Sequence, residues 1–187
     1  MAVLTSKKLA KIMGATAVIC RRRGGAVNVF PLLKTLYLTD RHLLEVSHRP
    51  LSGDTYASLP KGPILSETYN LLQGKHSDKT LQGEWNSHFS KTHHRVAPVA
   101  AIDEDVLSEL EEKTLEATSD LVASLTPVQL EKLLHENLPE WEDPQGSSKP
   151  IYLKTLLEKG LGFSPAKAAT IEKEINFSFS TRERLAH

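Results

Sequence analysis

Asn28-Val-Phe-Pro-Leu-Leu-Lys-Thr-Leu-Tyr-Leu-Thr-Asp-Arg-His-Leu-Leu-Glu-Val-Ser47 reads as a single helix. Leu32, Leu33, Leu36, Tyr37, Leu43 and Leu44 recur at helical spacing and form a wide apolar stripe. Asn28 is placed to cap this helix. Pro31 falls in its first turn, where a missing N–H breaks no helical bond. A stripe that wide needs cover from several neighbours, so the core is expected to be built around this segment.

Moving toward the N-terminus, Leu9, Ile12, Met13, Ala17 and Cys20 define an amphipathic helix over residues 6–23, ended by Gly24-Gly25. Toward the C-terminus the character changes at Arg49-Pro50. Ser52-Gly53-Asp54 is a turn, Thr55-Tyr56-Ala57 a short strand, and Lys61-Gly62-Pro63 a second turn. Pro63 is placed to open a helix that carries Leu65, Tyr69 and Leu72 and stops at Gly74.

Residues 75–102 hold weaker signals: Gln82-Gly83-Glu84 is read as a break, with Trp85 and Phe89 as anchors. Arg95–Ala100 reads as extended, and Pro98 marks it as an edge strand or a strand interruption; pairing with the strand near Tyr56 would form a small sheet. Ser108–Glu111 and Thr126–Gln129 are capping boxes, the second with Pro127 at the first helical position. The helix through Leu130, Leu133 and Leu134 stops before Pro139. A polar loop spans Glu142–Pro150, a helix runs from Ile151 to Gly160, and a last helix runs from Ser164-Pro165 to about Ile175.

These readings predict a mainly α (α+β) fold: a compact bundle of about six helices with a small two- or three-stranded antiparallel β element. The expected layout is a single domain over residues 1–175 and a mobile tail over 176–187, where Phe177 and Phe179 are the residues suited to docking.

The chain has 187 residues, 40% of them hydrophobic, with 23 Lys+Arg against 23 Asp+Glu and no formal net charge. That composition supports a real core and gives no electrostatic argument for nucleic acid. One cysteine, Cys20, excludes an intramolecular disulfide and a Cys-based zinc site. Lys7, Lys8 and Lys11 before the apolar run Ile12–Cys20 resemble an export signal, but Arg21-Arg22-Arg23 stands where a small-residue cleavage site belongs. No run reaches the ~20 apolar residues of a membrane span. A cytoplasmic location without membrane contact is expected.

No Gly-rich phosphate loop, nucleophile elbow or HExxH is present, and Pro139 occupies the place of the second histidine after His135-Glu136. His76, His88, His93 and His94 cluster in sequence without a metal-ligand spacing, so a metal-dependent enzyme built on them is the weakest alternative. Arg21–Arg23 complement a helix C-terminus, and Asp103–Glu116 is read as an acidic helix start. Neither pattern requires catalysis, and Cys20 at an apolar helical position is read as a buried, inert thiol.

Two stretches together carry a resemblance. The first is Leu33-Lys34-Thr-Leu36-Tyr37-Leu38, followed by Arg49-Pro50-Leu51-Ser52-Gly53-Asp54-Thr-Tyr56-Ala57, Gly62-Pro63 and Tyr69-Asn70-Leu71-Leu72. The second is Leu107-Ser108-Glu109, followed by Leu130 to His135-Glu136 and Pro139-Glu140-Trp141. In order and spacing they resemble the Panacea domain, the family of SocA-like antitoxins, over roughly residues 8–175.

The resemblance implies a mainly helical, non-catalytic protein without a cofactor, whose partner is a cognate toxin of a bacterial or phage type II toxin–antitoxin pair, neutralised by direct contact. One family member instead acts as an adaptor delivering its toxin to a ClpXP-type protease. The resemblance begins within the first ten residues, which leaves no room for the helix-turn-helix that some relatives carry, so no direct nucleic-acid contact is expected. A homo-oligomer is left open. Tyr56, Lys61, Trp85, Asp105 and Trp141 are the candidate partner contacts, because aromatic and charged side chains anchor protein interfaces.

Overall fold

The computed structural model describes residues 4–184, with side chains described through Phe177. The chain runs α1 (Ser6–Arg22), β1 (Val27–Asn28), α2 (Val29–Ser47), β2 (Tyr56–Leu59), β3 (Gly62–Leu65), α3 (Ser66–Leu72), α4 (Lys79–His88), β4 (Phe89–Thr92) and β5 (Arg95–Pro98). It continues through α5 (Glu109–Ser124), α6 (Pro127–Asn137), β6 (Lys149–Ile151) and α7 (Leu153–Thr155). A π-helical turn (Leu156–Gly160) then leads to α8 (Pro165–Arg184). The fold is mainly α, with two small antiparallel three-stranded sheets where one β element was expected.

The α2 helix is the spine, as its stripe requires. Leu32, Leu33, Leu36, Tyr37, Leu43 and Leu44 are all buried, and the helix packs along α5 and against β3. A second buried helix, α1, rests on α5, α4 and β5. Both expected capping boxes form: Ser108 and Glu111 exchange bonds at the start of α5, and Thr126 and Gln129 do so at the start of α6. Asn28 precedes α2 in extended geometry, but its side chain makes no capping bond.

Pro63 does not open a helix. Leu59 pairs with Gly62 across a two-residue turn, so Gly62–Leu65 is the returning strand of a hairpin and α3 begins at Ser66. β3 lies at the edge of the order β3-β2-β6, where a strand tolerates a residue without an N–H.

Arg95–Pro98 is a strand but does not pair with the one near Tyr56. It lies in the middle of the order β1-β5-β4, between Val27–Asn28 and Phe89–Thr92. β1 pairs only with Val96 and Arg95, so Pro98 has no β1 residue opposite it and breaks no bond on that side. Tyr56–Leu59 takes Lys149–Ile151 as its second neighbour, a strand the sequence reading had placed in a loop and a helix start. The last helix also continues past Ile175 to Arg184, across most of the expected tail. Phe177 is exposed on it, while the side chain of Phe179 and residues 185–187 lie outside the described set.

Gly62 carries the hairpin at φ 96°, and a Cβ there would stand 3.0 Å from Leu134 Cδ1 and 3.5 Å from Lys34 Nζ. Gly62→Ala is expected to lower unfolding free energy by about 1–3 kcal/mol in urea denaturation. The expected break at Gln82-Gly83-Glu84 is instead the middle of α4, where a glycine costs helix stability without ending the helix, so Gly83→Ala, with open space around its Cβ, is expected to raise unfolding free energy by up to ~1 kcal/mol.

Candidate functional site

Tyr37 of the apolar stripe and three charged side chains to which the sequence reading gave no role, Lys34, Asp40 and Arg41, give α2 a polar flank against the core. Helical geometry places Lys34, Tyr37, Asp40 and Arg41 on neighbouring positions of that flank. Lys34 donates to the carbonyls of Gly62 (2.8 Å) and Pro63 (2.9 Å), tying the hairpin to the spine. Asp40 accepts from the Ser52 amide (2.9 Å), from the Ser52 hydroxyl and from the Tyr56 hydroxyl (3.0 Å). Tyr56 also meets Tyr37 edge-to-face, with ring centroids 5.7 Å apart.

Glu140 accepts from the Tyr37 hydroxyl at 2.9 Å and from Arg41 Nε at 2.8 Å, while Arg41 Nη2 donates to the Gly160 carbonyl at 2.7 Å. Arg41 therefore joins the spine to the segment after α6 and to the π-helical turn. Asp54 completes the arrangement. Its carboxylate accepts from the amides of Thr55, Glu67 and Thr68 and from the Thr68 hydroxyl, capping α3 from outside that helix.

Burial dominates the electrostatics of this layer. It pushes the Asp40 carboxyl up to about 6 against the pull of its three donors, and it raises Asp54 as well. It lowers the Lys34 ammonium to about 7, opposed by the negative charge of Glu131. The Tyr37 and Tyr56 phenols are raised well above their ordinary value by burial and by the carboxylates they bond. Every oxygen of Asp40 and Asp54 is engaged by donors of the chain itself. Glu140 Oε2 makes no hydrogen bond among the described residues and lies buried against Gly160. The layer is thus a clamp that holds the hairpin, α3 and the 140–160 segment on α2.

The five expected partner contacts fall into different places. Tyr56 is part of the clamp, and Trp85 is a core residue stacked on Phe89 at 4.5 Å. Both are buried, so neither side chain is presented at the surface. Trp141 is half-buried; it stacks on His135 at 3.9 Å and its indole N–H donates to the Leu59 carbonyl at 3.0 Å. Lys61 is exposed at the turn that follows Leu59, at the same end of the hairpin. Asp105 is exposed in the loop before α5, whose Asp103 and Val106 pack over Gly14 of α1. Lys61 and Trp141 share one end of a hairpin, whereas Asp105 lies in the loop that packs over α1.

The histidines do not converge. His76 is buried with Nε2 3.1 Å from Glu67, His88 is half-buried on α4, and His93 and His94 are exposed in the β4–β5 turn. Among the described residues no group of three or more His, Cys, Asp or Glu side chains is placed to hold a metal ion. The basic and acidic runs pair with each other. Arg21 meets Glu104, Arg22 meets Glu116 and Asp120, and Arg23 donates to the Ser119 carbonyl. Cys20 is buried, and burial raises its thiol to about 11, so little thiolate forms near neutral pH.

Two outcomes follow from the clamp. Arg41→Ala leaves the Glu140 carboxylate buried without its cation and is expected to cost about 3–5 kcal/mol in chemical denaturation, well beyond an exposed pair such as Lys113–Glu109. Lys34 binds its proton less tightly folded (about 7) than unfolded (10.5), so stability should rise as pH climbs from about 7 toward 10.5. Asp40 has the opposite sign: its contribution is greatest below 3.8 and is lost as pH rises through about 6. Denaturant midpoints of Lys34→Met should lack the wild-type rise above pH 7, and equal slopes in the two proteins would mean that Lys34 keeps its charge in the fold.

Among the described residues no helix is long and apolar enough to cross a membrane. No curated protein and no solved structure matches the chain. A family model does: the SocA-like antitoxin, Panacea domain, over residues 32–142. That span runs from the first turn of α2 through Glu140 to Glu142, and it takes in Lys34, Tyr37, Asp40, Arg41, Asp54, Tyr56 and Glu140. It covers more than half of the chain, which therefore belongs to the SocA-like antitoxin family of Panacea-domain proteins.

Proposed function

We propose that this chain is the antitoxin of a toxin–antitoxin pair and neutralises a protein toxin by binding it directly. The family match over residues 32–142 carries this reading. The clamp is consistent with it. Three buried carboxylates lie in the domain, yet the donors around Asp40 and Asp54 come from the chain itself, and they serve to fix the hairpin and α3 in place. A rigid scaffold of this kind suits a protein that presents a preformed surface, since ordering before binding removes an entropic cost of association.

Neutralisation by cover needs a stable interface, typically about 1,200–2,000 Å² with a few central anchors. Of the five residues read as contacts, the exposed Lys61 and Asp105 and the half-buried Trp141 have side-chain surface to offer. Tyr56 and Trp85 act through the scaffold that positions that surface.

Co-expression with the product of the adjacent open reading frame tests the reading. The neighbour alone is expected to arrest growth, and this chain to restore it and to copurify with the neighbour. Growth restored together with loss of the toxin, reversed by deleting a ClpXP-type protease, would assign delivery to the protease in place of blocking. A neighbour that leaves growth unaffected would overturn the toxin–antitoxin reading for that pair.

A further inference from the structure

One cleft lies away from the clamp. It has a volume of about 210 Å³ and is lined by Arg23, Ala26, Val27, Asn28, Pro31 and Arg95. The end of α1, strand β1, the first turn of α2 and strand β5 thus meet around it. Its floor is mainly apolar, from Ala26, Val27 and Pro31, and no lining residue is acidic.

Its two guanidiniums differ from those beside them. Arg21 and Arg22 are engaged by carboxylates, as is Arg41 in the clamp. Arg23 and Arg95 make no ion pair among the described residues. Each is steadied by a neutral carbonyl: Arg23 by Ser119 at 2.6 Å, and Arg95 by Ala26 at the long distance of 3.5 Å. Asn28 makes no capping bond to α2, so its carboxamide is not used by the helix it precedes.

The cleft is smaller than the ~300–1,000 Å³ of sites that enclose a cofactor or metabolite. It has room for a single side chain. An apolar floor edged by two guanidiniums complements an apolar side chain next to a carboxylate, because Arg binds carboxylates through paired N–H donors. A phosphate backbone fits less well. It carries a charge on every unit and would run on past the two guanidiniums, in a chain with no net positive charge to hold it.

We propose that this cleft recognises an acidic segment of the protein toxin, seating one apolar side chain on Ala26, Val27 and Pro31 with the adjacent carboxylate held by Arg23 and Arg95. The proposal rests on the antitoxin reading and adds to it a site and a partner chemistry. It also explains why two arginines next to a well-neutralised pair lack carboxylates of their own.

Arg95 is the residue to change, because its side chain is exposed while Arg23 also ties α1 to α5. Where the wild-type chain neutralises and captures the toxin, Arg95→Glu should weaken capture by roughly tenfold or more and Arg95→Gln by less. Equal capture by Arg95→Glu would overturn the cleft and leave the antitoxin reading standing. Failure of the wild-type chain to neutralise would remove both.

A second measurement needs no toxin. Titration of the full chain with the blocked peptide Glu-Leu-Glu should move the amide resonances of residues 24–28 saturably. The same peptide should bind Arg95→Glu roughly tenfold or more weakly, with the rest of the spectrum unchanged. The neutral peptide Gln-Leu-Gln and an oligothymidylate should leave these resonances in place. Absence of shifts with the acidic peptide, equal shifts with the neutral one, or shifts with the oligothymidylate alone would overturn the proposal, the last by assigning the cleft to phosphate.

Discussion

Lys34 and Asp40 bring charge into the centre of this protein, with the half-buried Arg41 beside them, on the helix that packs along α5 and against β3. Removing such groups from water is costly, and the cost is met only where each finds donors or acceptors of good geometry. Those partners come from chain segments far from α2 in sequence: the Gly62 and Pro63 carbonyls, Ser52, Tyr56 and Glu140. The spine is therefore satisfied only when the hairpin and the 140–160 segment are in place. Apolar burial alone holds elements together without fixing their register. The buried polar bonds fix it here, because a displaced hairpin would leave Asp40 and Lys34 unpaired.

The same constraint divides the labour between core and surface. The aromatic residues that looked like interface anchors, Tyr56 and Trp85, are occupied in the scaffold. Trp141 is partly so, with its ring on His135 and its indole N–H on Leu59. The exposed side chains of Lys61, Asp105 and Arg95 make no bond to the clamp, and the partner contacts proposed above draw on them. A scaffold fixed by buried bonds lets surface positions change without disturbing the fold. Most surface substitutions alter stability by no more than about 0.5 kcal/mol.

Much of the fold was legible in the sequence where the signal is local. The stripe from Leu32 to Leu44 identified the central helix. Ser108–Glu111 and Thr126–Gln129 identified two helix starts to the residue, since a capping box is satisfied within four positions. The strand readings were weaker. Tyr56 and Arg95 were both recognised as extended, but their mutual pairing was wrong: one took Gly62–Leu65 and Lys149–Ile151, the other Phe89–Thr92 and Val27–Asn28. Pro63 misled because proline suits an edge strand as well as a first helical turn. Of the site, Lys34 and Arg41 stood in plain view within an apolar helix. A charged residue beside a wide stripe is equally consistent with a solvated flank, and only the partner across the fold distinguishes the two.

The sequence by itself determined a mainly helical fold built on the 28–47 segment, the capping boxes that open α5 and α6, a buried unreactive cysteine and, through the order of its motifs, a place among the SocA-like antitoxins. These depend on periodicity, propensity and spacing, which act over a few residues or are preserved along the chain. The tertiary structure alone decided which strands pair, that Tyr56 serves Asp40 and Glu140 serves Arg41, and that Arg21 and Arg22 meet carboxylates while, among the described residues, Arg23 and Arg95 do not. Each of these joins residues separated by long stretches of chain, and the energy that selects them, desolvation answered by a specific partner, exists only once the segments have met.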